Sequence, residues 1–181
     1  ITKKLIEKMG GTITFESEEG TGTTFVIRVP FRIDTGRSGR AETEEKPEVS
    51  IKGVHILLAE DNELNMEIAE FVLQNEGAVV TKAWNGQEAV ERFKKSEPGE
   101  FDAILMDIMM PELDGKEASR KIRSMADQRE DAAEIPILAM TAQASTESIH
   151  QCKSAGMNEC IFKPVNAKEL IRLLQDIVAK I

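Results

Sequence analysis

Glu60 and Asp61 directly follow the apolar run VHILLA, and Asp107 follows AILM. Thr141 follows ILAM, and the pair Lys163-Pro164 follows ECIF. Each polar group therefore stands at the end of a short apolar segment. If those segments are strands of one parallel sheet, three carboxylates, a hydroxyl and an ammonium group meet at its carboxyl edge, where open α/β sheets bind ligands. Three carboxylates in one small pocket repel, and a hard divalent cation with oxygen ligands relieves the repulsion. Mg2+ suits the pocket better than Ca2+, because few protein ligands are offered and water or phosphate oxygens complete the shell. With the cation bound, one carboxylate can attack an activated phosphoryl group and form an aspartyl phosphate. Asp107 is the preferred nucleophile, since it ends the central strand while Glu60 and Asp61 sit together as metal holders. Lys163 then acts as a point charge on the phosphoryl oxygens, and Thr141 donates a hydrogen bond to them.

Those positions need a scaffold, and residues 51–181 supply its pattern. Strand-like runs at 54–59, 78–83, 103–106, 135–140 and 159–162 alternate with helical stretches at 64–76, 85–95, 115–126 and 145–155. A last helix follows Asn166, carrying Leu170, Leu173, Leu174 and Ile177 at i, i+3, i+4, i+7. The first helix is expected to bury Ile68, Phe71 and Val72, and the second Ala89, Val90 and Phe93. The opposite face of the first helix, with Asn65, Met66 and Ala69, is then a docking surface for a partner helix. Alternating βα units with short loops imply a doubly wound α/β domain, a parallel sheet with helices on both faces.

Composition sets the limits around this core. The 181 residues carry 23 Lys and Arg against 32 Asp and Glu, a formal net charge of −9. Residues 51–181 hold 15 of the bases and 23 of the acids, so −8 of that charge belongs to them. An acidic chain lacks the basic face that binding to a nucleic-acid backbone requires. No apolar run approaches the roughly 18 residues of a membrane span, and no signal peptide opens the chain. Cys152 and Cys160 show no zinc-ligand spacing and read as reduced thiols of a cytoplasmic protein. The chain opens on Ile1, which suggests a piece of something longer. Residues 34–50, DTGRSGRAETEEKPEVS, are too polar to offset their ordering entropy and read as a flexible acidic linker. Residues 1–33 read as a short helix with Leu5, Ile6 and Met9 on one side, then a hairpin carrying Ile13, Phe15, Phe25, Ile27 and Val29. This helix-hairpin fragment is too small to be stable alone.

Residues 51–181 resemble the receiver domain of two-component response regulators. The resemblance rests on LLAEDN with Glu60 and Asp61, ILMDIMMPELDG with Asp107, Met110, Pro111, Asp114 and Gly115, AMTA with Thr141, and FKP with Lys163 and Pro164. It implies a five-stranded parallel sheet in the flavodoxin-like order 2-1-3-4-5. It also implies Mg2+ held by Glu60, Asp61, Asp107 and the backbone carbonyl of Met109, and a cis bond between Lys163 and Pro164. The string EDNELN, with Asn62 and Asn65, is similar to receivers inside hybrid sensor histidine kinases. MGGTITFESEEGTGTTFVIRVPF resembles the last helix and hairpin of the histidine-kinase ATP-binding domain. The family's nucleotide-binding boxes and phosphorylatable histidine segment do not occur in these residues. The chain is therefore expected to catalyse only the gain and loss of phosphoryl at its own Asp107, and not to use ATP.

The implied function is a phosphorelay receiver. Asp107 would take phosphoryl from a phosphohistidine helix of the kinase or a histidine phosphotransfer protein, then relay it or regulate the attached kinase. Nucleic acid and membrane are not expected partners; a homodimer is compatible with the sequence. One position departs from the family. Three residues before the conserved lysine an aromatic residue is usual, but here the residue is Cys160 and the chain has no Tyr. Two alternatives belong to other classes, a Mg2+-dependent phosphatase with an aspartyl nucleophile and a receiver-like module used only for protein contacts. The phosphatase needs a general acid two residues after its nucleophile, and Met109 stands there. The contact module needs no intact acceptor site, yet every residue type of one is present.

Overall fold

The computed structural model describes residues 2–8, 10–18, 20, 22–30, 50–142 and 145–179. The expected linker lies outside these residues except for Ser50, as do Met9 and the side chain of Leu5. The chain divides into two compact units, Ile1–Glu45 and Lys46–Ile181.

In the first unit, α1 (Thr2–Lys8) precedes an antiparallel hairpin of β1 (Thr12–Glu18) and β2 (Gly22–Arg28). Ile6 is its buried side chain, while Phe15, Phe25 and Ile27 remain largely exposed. The Phe15 and Phe25 rings lie opposite each other with centroids 5.8 Å apart.

The second unit runs β3 (His55–Ala59), α2 (Glu63–Asn75), β4 (Val79–Ala83), α3 (Gly86–Lys95), β5 (Ala103–Asp107), α4 (Gly115–Arg123), α5 (Asp131–Glu134), β6 (Ile137–Thr141), α6 (Thr146–Ser154), β7 (Glu159–Phe162) and α7 (Ala167–Val178). Its strands are all parallel, in the order β4-β3-β5-β6-β7. Counted from β3, this is the 2-1-3-4-5 order implied by the resemblance. Because strand side chains alternate, each strand feeds two cores. Ile56, Leu58 and Leu105 pack with Met66, Leu73, Leu170 and Leu174 of α2 and α7. Leu57, Ile104 and Met106 pack with Phe93, Ala118, Ile122 and Cys152 of α3, α4 and α6.

Asparagine, aspartate and serine caps start the five longer helices of this unit. Asn62, Asn85, Asp114, Ser145 and Asn166 each accept a hydrogen bond from a backbone N–H three residues on. Two arginines that periodicity cannot reveal bind the loops below the sheet. Arg123 donates to the carbonyls of Ala132, Ile135 and Gly156 and to Asn158 Oδ1. Arg129 bonds both carboxylate oxygens of Asp131, reaches carbonyls of 93, 96 and 97, and lies over the Phe93 ring. Among the described residues no helix is long and apolar enough to cross a membrane.

One expectation is corrected. Met66, Ala69 and Leu73 are the buried residues of α2, whereas Leu64, Ile68 and Phe71 are exposed. The helix carries two apolar stripes; packing against α7 and β3 buries Met66, Ala69 and Leu73 and leaves Ile68 and Phe71 outside, while Val72, also expected inside, is half-buried against the same core. Met66 and Ala69 therefore form no docking surface.

Candidate functional site

The carboxyl ends of β3, β5, β6 and β7 bring the expected side chains together. β3 hands the chain to Glu60, whose N–H donates to the Ala83 carbonyl at 3.1 Å. β5 lies beside β3 and ends at Asp107, which is in register with Met140, the residue before Thr141. Glu60, Asp107 and Thr141 are 1%, 4% and 6% exposed, so three polar groups are sunk at the sheet edge. Asp61 is exposed beside them. One carboxylate oxygen from each of Glu60, Asp61 and Asp107 can be chosen so that all three lie within 4.8 Å of one another.

Lys163 reaches this cluster from the far side. Its Nζ donates to Glu60 Oε2 at 2.6 Å and to Asp107 Oδ2 at 2.7 Å. Its backbone N–H donates to the Thr141 carbonyl at 2.8 Å, which ties the loop after β7 to the end of β6. The Lys163–Pro164 peptide is cis. Asp107 Oδ1 accepts from the Met109 N–H at 3.2 Å. Sequence reasoning missed one neighbour: Asn65 Nδ2 donates to Glu60 Oε1 at 2.9 Å.

Electrostatics follow from burial. Desolvation pushes the Asp107 carboxyl above the ordinary aspartate value, the hydrogen bond from Lys163 opposes this, and the Glu60 charge adds to the rise. Burial disfavours the Lys163 ammonium, but its bonds to Asp107 and Glu60 outweigh that cost and raise its pKa. One ammonium group shared by two buried carboxylates leaves the cluster net negative, with Asp61 adding to it. All-oxygen donors with excess negative charge fit a hard divalent cation.

Near the site, Phe162 and not Cys160 is in register with Thr141; Cys160 is in register with Ala139. Burial and neighbouring Cys152 push the Cys160 thiol up to about 12, so it is a poor redox nucleophile. Gly115 closes the loop after Asp107, its N–H donating to the Ile108 carbonyl at 3.0 Å.

A family model described as the response regulator receiver domain matches residues 56–175. The chain belongs to this family.

The chain is 32% identical over 175 residues to the aerobic respiration control sensor protein ArcB of Escherichia coli (strain K12). That alignment covers 97% of this chain and 21% of the relative, so the chain spans about a fifth of its length. Among solved structures it is similar to the receiver domain of the sensor histidine kinase PA1611 from Pseudomonas aeruginosa PAO1. The identity is 38% and the TM-score 0.62, over 70% of this chain and 98% of that one. That structure holds a magnesium ion in its active-site cleft. The receiver of Ssk1 in its complex with the Saccharomyces cerevisiae histidine phosphotransfer protein Ypd1 is 33% identical. Its TM-score is 0.60, over 66% of this chain and 84% of that one. This receiver is a two-component signalling domain whose own acidic cluster has the donor chemistry for the same cation.

Mg2+ is expected to raise the stability of this receiver by mass action. At a concentration one hundred times the dissociation constant the gain is about 2.7 kcal/mol. Urea unfolding with and without Mg2+ measures it, and the gain should vanish in Asp61→Ala. An Asp61→Ala chain that Mg2+ still stabilises fully would remove Asp61 from the cation site.

Proposed function

We propose that this receiver accepts a phosphoryl group from phosphohistidine onto Asp107 in a Mg2+-dependent step, within a phosphorelay of the hybrid-kinase type. The observation that carries the reading is Lys163 bridging Glu60 and Asp107 within a cluster that also contains Asp61. An Asp107 carboxylate oxygen attacks phosphorus, the P–N bond to the donor imidazole breaks, and its electron pair leaves with the ring. Lys163 Nζ, already 2.7 Å from Asp107, then faces the transferred phosphoryl oxygens, and the Thr141 hydroxyl donates to them. Glu60, Asp61, Asp107 and the Met109 carbonyl would hold Mg2+, which would supply positive charge against the phosphoryl oxygens. Sequence supplies the same assignment, since each of these residues fills its place in the receiver motifs.

The partner is a helix presenting phosphohistidine, from a kinase or a histidine phosphotransfer protein. Leu64, Ile68 and Phe71 form an exposed apolar stripe at i, i+4, i+7 on α2, the helix that begins beside Glu60. Phe71 is 66% exposed, and Met109, two residues beyond Asp107, is 76% exposed. Such a stripe is suited to a partner helix face. Phe71→Asp should slow phosphoryl transfer from a phosphorylated histidine phosphotransfer domain about tenfold, since one lost apolar contact is worth roughly 1.5 kcal/mol or more. Uptake from acetyl phosphate should not change. Equal slowing with both donors would argue against a docking role.

Residues 1–33 are read as the C-terminal fragment of a histidine-kinase ATP-binding domain. Similarity to ArcB over 175 residues extends into this segment and supports the reading, as do the exposed Phe15 and Phe25 of the hairpin. A cytoplasmic location is the reading that the receiver's two free thiols support.

The direct test incubates the 181-residue chain with acetyl phosphate and Mg2+. Mass spectrometry should show the gain of one phosphoryl group, and chelation of Mg2+ should prevent it. No gain with Mg2+ present would defeat the acceptor reading.

A further inference from the structure

Asn65 occupies the third position of α2, and its own backbone N–H is fixed by the Asn62 cap at 3.1 Å. From there its side chain turns back and gives Glu60 Oε1 a hydrogen bond of 2.9 Å. Lys163 takes the other oxygen, Oε2, at 2.6 Å. A carboxylate 1% exposed is thus held at both oxygens by donors from two different elements.

The two donors differ in one respect that matters for a cation. Lys163 is positive, bonds Asp107 as well, and so repels an entering cation. The Asn65 amide is neutral and bonds the other Glu60 oxygen, so it holds the carboxylate without adding charge repulsion against a cation. Free rotation of the Glu60 carboxylate would otherwise follow once Lys163 yields to the ion. Asn65 and Glu60 also border a cavity of about 100 Å3 with Met140, Lys163 and Pro164. That space would let an unanchored Glu60 swing away.

We propose that Asn65 is a positioning residue, fixing the Glu60 carboxylate through a neutral hydrogen bond so that the divalent-cation site stays formed when Lys163 releases it. This rests on the reading of the pocket as a Mg2+ site. Loss of such an outer hydrogen bond to a ligand side chain typically weakens metal affinity by tenfold or more.

The test titrates Mg2+ alone into four full chains by calorimetry: wild type, Asn65→Ala, Glu60→Asp and the double variant. Glu60→Asp keeps the negative charge but draws it back from the reach of Asn65. Asn65→Ala should weaken Mg2+ binding about tenfold in the Glu60 chain and leave the Glu60→Asp chain unchanged. The urea midpoint is read alongside, because the variant also removes a hydrogen bond from the buried Glu60 carboxylate. Unaltered affinity in Asn65→Ala overturns the proposal, as does equal weakening in both backgrounds, which would mean action through α2 and not through Glu60. A wild-type chain without Mg2+ affinity would instead overturn the functional reading itself, and this proposal with it.

Discussion

Asp107→Asn is expected to remove phosphoryl uptake from acetyl phosphate altogether while the fold persists. An amide has the shape of the carboxylate but neither its charge nor its nucleophilic oxygen, so the attack on phosphorus has no agent. The neighbours in the cluster do not substitute. Asp61 is exposed, and Glu60 is held by Asn65 and Lys163. Stability moves the other way from activity. Burial raises the Asp107 pKa, so the native chain binds this proton more readily than the unfolded chain does. By linkage, the group's contribution is most favourable below the ordinary 3.8 and declines as pH rises through the raised native value. Asn carries no such pH-dependent cost, so without Mg2+ the variant should unfold in urea no earlier than wild type at neutral pH. Its stability should also rise less than that of wild type as pH falls into the acidic range. Mass spectra of the two chains after acetyl phosphate treatment decide the first point, and urea curves at several pH values the second. Phosphoryl uptake by Asp107→Asn would move the acceptor to another residue.

Gly115→Ala is the substitution with the largest expected effect on stability. A Cβ at this position would lie 2.0 Å from the Asp107 carbonyl oxygen and 2.9 Å from both its carbonyl carbon and Met106 Cγ. No side-chain rotation relieves a clash with backbone, so α4 or the loop after β5 must shift. Overpacking of this kind costs up to about 3 kcal/mol. The requirement is space and not backbone conformation, since Gly115 is absent from the residues with positive φ. Gly99→Ala serves as the contrast, because Gly99 has φ +79° but nothing within 4 Å of an added Cβ. It should cost about 1 kcal/mol, from backbone strain alone. Urea unfolding of both variants gives the comparison; a Gly115→Ala loss no larger than that of Gly99→Ala would contradict the close approach. The displaced loop follows Asp107 directly and carries Met109, so phosphoryl uptake should fall together with stability.

The five strands and the five longer helices were legible in residues 51–181 because apolar runs and their periodicity are local signals, whereas the strand order came from the resemblance to receivers. The chemistry was legible for a related reason. Glu60, Asp61, Asp107, Thr141 and Lys163 each follow the end of a strand or terminate it, and a parallel sheet carries all such positions to one edge. Residue types at strand ends therefore determined the cluster and its preference for a hard cation.

Tertiary packing decided what local pattern leaves open. In α2 both Met66-Ala69-Leu73 and Leu64-Ile68-Phe71 are apolar, and periodicity assigns no preference between two hydrophobic stripes. Only contact with β3 and α7 buried the first and left the second exposed. The bond from Asn65 to Glu60, the four-bond anchor of Arg123 and the space denied to a Cβ at Gly115 are likewise invisible in sequence. Each depends on distances between backbone segments that only the folded domain sets.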